Sequence, residues 1–341
     1  MNINNVHVLI ADDSPLILSS LKFALRSMGF RDENTFTCKN ALQAIIIIES
    51  NNIDLLISDL NFGTGTDGIQ LVEHIRAKGL FNDNNSIIIL TGDTRTSTVL
   101  SIIDNQPDDY IVKPYKTKDL EYRINKTLRR KKILNKINHL PSNMSLEQKI
   151  FVCDEHISKY TELSNHIDRI KCNYLIQEKQ FESAKNIFNK ALKIYNEDWP
   201  VRGMLKVLSE QNKNIDLELF INSVKDKDSA IIKMLCYEAS ANLHICSGHF
   251  KEAASLLSKC VDIVNNNSER WLLLGQLHFL NCNFHESSEA FKQSMILIEG
   301  THKDNSSIHY YYLRSKFMKA NISATELRSA TQILNRFNKK T

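Results

Sequence analysis

The chain has few of the features on which membrane, disulfide-rich or nucleic-acid-binding proteins depend. Its 341 residues contain 10 Gly and 5 Pro, and no apolar run approaches the roughly 18 residues of a membrane span. The seven cysteines are scattered, odd in number and without CxxC spacing, which predicts reduced thiols, and the eleven histidines show no metal-ligand spacing. The net charge of +4 is too small to indicate DNA binding. Because the first residues also lack the pattern of a signal peptide, we expect a cytoplasmic protein with no membrane contact.

Short apolar runs punctuate the first 115 residues, and the length of the chain leaves room for a second domain. The runs are Val6–Ala11, Ile53–Ser58, Ile87–Leu90 and Tyr110–Val112. Because they are rich in Ile, Leu and Val and do not alternate with polar residues, they predict strands buried on both faces. Longer amphipathic segments separate them, which predicts alternating strands and helices around a parallel sheet.

A polar residue or pair stands at the end of each run. These residues are Asp12-Asp13, Asp59, Thr91 and Lys113. In open parallel sheets, ligands bind outside the carboxyl ends of the strands, so the five side chains should meet at one edge. Three carboxylates, a hydroxyl and an ammonium at one edge indicate a site for a cation and a phosphoryl group.

Five short motifs occur in order, each near the end of a predicted strand. They are Ala11-Asp12-Asp13-Ser14, Ile57-Ser58-Asp59-Leu60-Asn61, Asp67-Gly68, Leu90-Thr91-Gly92 and Tyr110-Ile111-Val112-Lys113-Pro114. Over residues 4–130 this set resembles the receiver domain of two-component response regulators. The resemblance implies a flavodoxin-like fold, with a five-stranded parallel sheet in the order 2-1-3-4-5.

The resemblance also assigns roles to the motif residues. Asp59 would be the phosphoacceptor, a carboxylate nucleophile that forms an acyl phosphate. Asp12, Asp13, Asp59 and the backbone carbonyl of Asn61 would hold Mg²⁺, which prefers oxygen ligands.

Thr91 and Lys113 would bind the phosphoryl oxygens, and Tyr110 would be the aromatic switch that moves inward with Thr91. For Tyr110, the alternative is a half-buried strand aromatic without a switching role. Two features depart from the family: Gly63 stands where many receivers have Pro, and the interval from Asp59 to Gly68 is one residue longer than usual.

Beyond residue 130 the apolar residues recur at helical spacing, which predicts an all-α region. We expect a receiver domain at 1–130, a linker at 131–144 and a helical domain at 145–341. Ser145 and Gln148 have the spacing of a capping box and predict the start of the first helix after the linker.

The helical region contains a weak internal repeat. The segment Phe250-Lys251-Glu252-Ala253 recurs 34 residues later as Phe284-His285-Glu286-Ser287, and an earlier copy begins at Phe181. A divergent copy near 201–224 would fill the gap, and 307–336 predicts one more helix pair. Residues 145–165 predict a helix that belongs to no copy. The period and Gly275 resemble the tetratricopeptide repeat, whose helix pairs present concave protein-binding surfaces.

Together these features indicate a non-enzymatic response regulator that a sensor histidine kinase or phosphorelay protein phosphorylates and whose helical repeats bind a protein partner. The combination resembles the accessory regulators of Vie-type phosphorelays. Self-association as a homodimer is the rival to a protein partner. Two alternatives stay open: a DNA-binding transcriptional regulator, supported only by the basic run Lys126–Lys136, and a receiver used only as a scaffold.

Overall fold

The computed structural model describes residues 3–63, 65–195, 197–299, 301, 303–319 and 328. Its N-terminal part alternates strands and helices, as the apolar runs predict. The elements are β1 Val8–Ala11, α1 Pro15–Ser27, β2 Thr35–Cys38, α2 Ala41–Ser50, β3 Leu55–Asp59, α3 Gly68–Ala77, β4 Ser86–Thr91, α4 Thr96–Asp104, β5 Asp109–Val112 and α5 Thr117–Asn138.

The five strands form one parallel sheet in the order β2-β1-β3-β4-β5. This order confirms the flavodoxin-like fold that the motifs predicted. Every residue of β1 and β4 is buried, in agreement with their apolar runs. The apolar runs in the sequence do not include β2, because this edge strand contains two threonines and is buried only at its ends.

All the elements that follow α5 in the described residues are helical, which confirms the predicted fold class of a receiver-type sheet followed by an all-α region. The α-helices are α6 Leu146–Lys159, α7 Ser164–Gln177, α8 Phe181–Ile194, α9 Trp199–Glu210, α10 Asn214–Val224, α11 Ala230–Cys246, α12 Phe250–Ile263, α13 Ser268–Leu280, α14 Phe284–Ile298 and α15 Ser306–Phe317. The second helix of the pair predicted for 307–336 lies outside the described residues.

Helix α5 runs eight residues into the predicted linker, since it ends at Asn138. A short turn leads to α6, where the capping box forms: the backbone N of Gln148 donates to Ser145 Oγ, and the backbone N of Ser145 donates to Gln148 Oε1. The domain ranges 1–130, 131–144 and 145–341 remain a prediction.

The chain divides into two compact units that are not contiguous in sequence. One comprises residues 1–94 and 105–227, and the other comprises residues 95–104 and 228–341. The first unit contains the sheet core, in which Leu9, Ile57 and Ile88 are fully buried. The second contains α4 and the helices α11 to α15, with Phe291 in its core. No helix within the described ranges is both long and apolar enough to cross a membrane.

Candidate functional site

The carboxyl edge of the sheet brings together three acidic side chains that the sequence predicts to meet. Asp12 and Asp13 follow β1 directly, and Asp59 is the last residue of β3. One carboxylate oxygen from each of the three residues lies within 4.8 Å of the corresponding oxygens of the other two. Asp12 is fully buried, Asp59 is half-buried and Asp13 is exposed, so only part of the cluster faces water.

Lys113, which follows β5, bridges two of these carboxylates. Its Nζ donates to Asp12 Oδ2 at 2.8 Å and to Asp59 Oδ1 at 3.0 Å. Asp12 Oδ1 accepts a second bond, from the backbone N of Ser14 at 2.9 Å. Both oxygens of Asp12 are therefore occupied, which leaves Asp13 as the carboxylate of this cluster most open to solvent.

Burial and charge act in opposite directions on the titration of this cluster. Burial raises the pKa of Asp59, the negative charge of Asp12 adds to the rise, and Lys113 opposes it. For Lys113, burial favours the neutral amine, but the hydrogen bonds and charges of Asp12 and Asp59 together raise its pKa. The ammonium thus stays charged, and it partly compensates the repulsion between the carboxylates.

The structure places Thr91, the last residue of β4, fully buried at the same edge. Its Oγ1 accepts from the backbone N of Asp93 at 3.0 Å and donates to the backbone O of Asp93 at 3.2 Å. The hydroxyl is therefore bonded to the loop that leads into α4. To bind a phosphoryl oxygen it would have to exchange at least one of these bonds.

Tyr110 is half-buried in β5, as both interpretations of this residue require. Its backbone O accepts from Arg123 Nη1 at 2.8 Å, a bond that ties β5 to α5. Its role as a switch stays a prediction.

The loop between β3 and α3 accounts for one of the two departures from the family pattern, the glycine at position 63. Gly63 has φ of +80°, a conformation that the ring of proline cannot adopt. A Cβ on Gly63 would lie 3.3 Å from Asp13 Oδ2, so this loop passes close to the acidic cluster. Asn61, whose backbone carbonyl is the predicted fourth cation ligand, is exposed in the same loop.

Gly68 begins α3 and is required by a close approach of two backbone segments. A Cβ at this position would lie 2.2 Å from the backbone O of Asp59. The backbone N of Gly68 donates to the carbonyl of Leu60 at 2.7 Å, and Asp67 caps the helix through Gln70. The Asp67-Gly68 pair therefore holds α3 against the backbone that carries Asp59.

Tyr115 is a neighbour of the site that sequence reasoning missed. Burial raises the pKa of its phenol, and Asp12 and Asp59 add to the rise while Lys113 opposes it. Its position two residues after Lys113 was the only signal in the sequence.

The donor set fits a hard divalent cation. Three carboxylates within 4.8 Å of one another supply the oxygen ligands that Mg²⁺ prefers, and the exposed Asp13 leaves space for water. Receiver domains bind Mg²⁺ at an acidic cluster of this kind, and Asp12, Asp13 and Asp59 form one here.

Comparison with known proteins agrees with this geometry over the N-terminal third of the chain. Residues 8–125 match the family described as the response regulator receiver domain. The DNA-binding response regulator MtrA of Mycolicibacterium smegmatis is 32% identical over 123 residues, which are 36% of this chain and 50% of MtrA. The transcriptional regulatory protein YvrH of Bacillus subtilis is 32% identical over 126 residues, 37% of this chain and 50% of YvrH.

The chain spans about half the length of these curated relatives. Among solved structures, a response regulator receiver domain protein from Clostridium thermocellum is 26% identical to this chain, with a TM-score of 0.34. The match covers 38% of this chain and 98% of the solved chain. The family match ends at residue 125, so α6 to α15 lie outside it. Residues 8–125 of this chain form a response regulator receiver domain.

Proposed function

We propose that this protein is a two-component response regulator that a sensor histidine kinase or a phosphorelay protein phosphorylates on Asp59. We also propose that its helical output region binds a protein partner and that the protein has no enzymatic activity of its own. The observation that carries it is the single ammonium of Lys113, which bridges Asp59 and Asp12 at the carboxyl edge of the sheet, next to the exposed Asp13.

The chemistry requires a carboxylate nucleophile and donors for the transferred group. A carboxylate oxygen of Asp59 attacks the phosphorus of a phosphohistidine, the new O–P bond forms, and the P–N bond breaks with its electron pair on the histidine nitrogen. Lys113 would donate to the phosphoryl oxygens. Thr91 would also donate to them once its hydroxyl is no longer bonded to Asp93. A Mg²⁺ held by Asp12, Asp13, Asp59 and the Asn61 carbonyl would supply charge compensation for that group.

The output region has the spacing of a helical repeat. Helices α8, α10, α12 and α14 begin at Phe181, Asn214, Phe250 and Phe284, at intervals of 33, 36 and 34 residues. Gly275 of α13 packs directly on Phe291 of α14, since a Cβ would lie 2.7 Å from its ring. This close crossing of paired helices supports a tetratricopeptide-like array, and such arrays bind proteins along an extended surface. The same array also supports the proposed resemblance to the accessory regulators of Vie-type phosphorelays.

A DNA-binding output is the second candidate, because MtrA is named a DNA-binding response regulator. The cations of the basic run in α5 favour the protein-binding output. Arg129 pairs with Glu162, and both Arg130 and Lys131 pair with Asp108, so three of these cations are paired with two carboxylates within the fold. Half of the six cations in this run are thus held by carboxylates of the protein, which weakens the run as a surface for phosphate contacts.

Phosphorylation of the full-length protein tests the proposal. We expect acetyl phosphate and Mg²⁺ to produce an acid-stable, base-labile acyl phosphate in the wild type and none in Asp59→Asn. The control is Asp32→Asn, an exposed carboxylate elsewhere on the receiver, which should be labelled like the wild type. Label that survives in Asp59→Asn would contradict the assignment.

The output is tested with the same full-length chain. With beryllium fluoride as a phosphoryl mimic, the amount of a specific protein captured from lysate should change, and the change should be absent in Asp59→Asn. Sequence-dependent binding of DNA, with no protein captured in either state, would favour the transcriptional alternative.

A further inference from the structure

Helix α4 occupies an unusual place, because its residues fall within the receiver match yet belong to the compact unit of the C-terminal helices. The receiver match covers 8–125, and the second unit joins residues 95–104 to 228–341. Within that unit α4 packs on α11. A segment of the receiver sequence is thus built into the helical region.

A buried ion-pair network holds the end of α4. Arg270, in the first turn of α13, donates through Nη1 to Asp104 Oδ2 at 2.7 Å. Its Nη2 and Nε donate to Glu238 Oε2 of α11 at 2.9 and 3.2 Å. The side chains of Arg270 and Asp104 are 6% and 5% exposed. One guanidinium therefore joins three helices of this unit.

The position of Asp104 is costly for the helix that carries it. It is the last residue of α4, where a negative charge opposes the helix dipole. Burial of the carboxylate adds a desolvation penalty. Pairing with Arg270 offsets both costs, so this contact stabilises the carboxylate at the end of the helix.

The other end of α4 leads to the predicted phosphoryl-binding hydroxyl. The backbone of Asp93, which holds Thr91 Oγ1 through two hydrogen bonds, lies three residues before Thr96, the first residue of α4. For Thr91 to bind a phosphoryl oxygen, this short loop has to rearrange. A fixed α4 restrains that rearrangement, because only two residues separate Asp93 from the helix.

We propose that the Asp104–Arg270 ion pair is an autoinhibitory clamp, which keeps α4 docked on the C-terminal helices and thereby keeps the Thr91 hydroxyl bonded to Asp93. Phosphorylation of Asp59 and release of α4 then promote each other, because the coupling between two sites is reciprocal. The inference rests on the proposed function, and it adds to that function the route by which the receiver controls the helical region.

Hydrogen exchange on the full-length, unphosphorylated protein tests the clamp independently of any phosphoryl chemistry. In Asp104→Asn and Arg270→Gln, the amides of α4 should exchange at least tenfold faster than in the wild type, while α12 and α14 keep their protection. The matched control is Glu269→Gln, which breaks the neighbouring pair with Lys303, where Glu269 is 74% exposed. Unchanged exchange in α4 of both clamp variants would overturn the proposal.

The coupling is tested by the affinity for beryllium fluoride in the presence of Mg²⁺. Asp104→Asn should bind the mimic about fivefold more tightly or more, within the usual range of coupling between sites. Conversely, beryllium fluoride should speed α4 exchange in the wild type but not in Asp59→Asn. Equal or weaker binding by Asp104→Asn would overturn the clamp while leaving the proposed function intact. If acetyl phosphate labels none of these proteins, the proposed function and the coupling are both overturned.

Discussion

Lys113 Nζ lies 3.0 Å from Asp59 Oδ1, and the same ammonium lies 2.8 Å from Asp12 Oδ2. The side chain of Lys113 is 19% exposed, so this charge acts in a partly desolvated site where electrostatic interactions are stronger than in water. The bond pre-positions a cation beside the predicted nucleophile. On phosphorylation, Lys113 would exchange the carboxylate oxygen of Asp59 for a phosphoryl oxygen on the same residue, with little movement of the ammonium.

Lys113→Ala should leave the protein folded but remove its response to phosphodonor. Loss of the ammonium leaves two carboxylates without a common partner, and we expect the free energy of unfolding to fall by about 1 to 3 kcal/mol. Urea unfolding measures this loss, and partner capture with beryllium fluoride measures the response. Lys118→Ala, an exposed lysine on α5, should behave like the wild type in both assays. A response equal to that of the wild type would show that the switch does not use Lys113.

Asp13→Ala should weaken Mg²⁺ binding by about tenfold or more. Asp13 is the exposed member of the cluster, whereas both oxygens of Asp12 are occupied by Ser14 and Lys113, so Asp13 is the better candidate for direct contact with the cation. Calorimetric titration with MgCl₂ measures the affinity, and Asp32→Ala is the control. An unchanged affinity would mean that the cation does not bind at this cluster.

Gly68→Ala should both destabilise the receiver and slow its phosphorylation. The new Cβ would lie 2.2 Å from the backbone O of Asp59, and backbone atoms cannot yield as a flexible side chain can. We expect a loss of about 1 to 3 kcal/mol in the free energy of unfolding, as for other overpacked sites. Gly92→Ala is the matched control, because nothing lies within 4 Å of its Cβ. Equal stability of the two variants would contradict the close approach.

His166 should make the stability of the first unit depend on pH. Burial, together with the positive charges of Arg130 and Arg169, lowers the pKa of its imidazole to about 4. Since the unfolded chain takes up its proton near pH 6.5, it binds more protons than the native state between these values, and stability falls as the pH drops from about 6.5 towards 4.

His166→Gln should lose this dependence, which corresponds to about 1 to 3 kcal/mol over that range. Urea unfolding of both proteins at pH 5 and pH 8 provides the measurement. At pH 8 the imidazole is neutral in both states, so the difference there measures packing alone. A difference that stays constant between the two pH values would show that His166 is not the responsible group.

Gly275→Ala should destabilise the second unit by about 1 to 3 kcal/mol, even though alanine is the better helix former. The added Cβ would lie 2.7 Å from the ring of Phe291, which is 1% exposed and cannot move into solvent. Thermal unfolding monitored by hydrogen exchange in α13 and α14 measures the effect. Unchanged protection in both helices would argue against a close crossing of a repeat pair.

The sequence alone determined the local elements and the chemistry at the strand ends. Buried apolar runs mark β1, β3 and β4 because a strand covered on both faces requires apolar residues throughout. Asp12, Asp59 and Thr91 stand at the ends of those strands and Lys113 follows β5, so the topology of a parallel sheet is enough to bring them to one edge. The capping box at Ser145 and the spacing between Phe250 and Phe284 are likewise local or periodic signals.

The tertiary structure alone decided which of these groups contact one another and which segments move together. The bond between Thr91 and Asp93 depends on the path of a loop, and only the folded chain brings Gly63 close to Asp13. The ion pair between Asp104 and Arg270 joins residues 166 positions apart. No local pattern encodes such a pair, because its free energy comes from burial and charge compensation that exist only after the helices have packed.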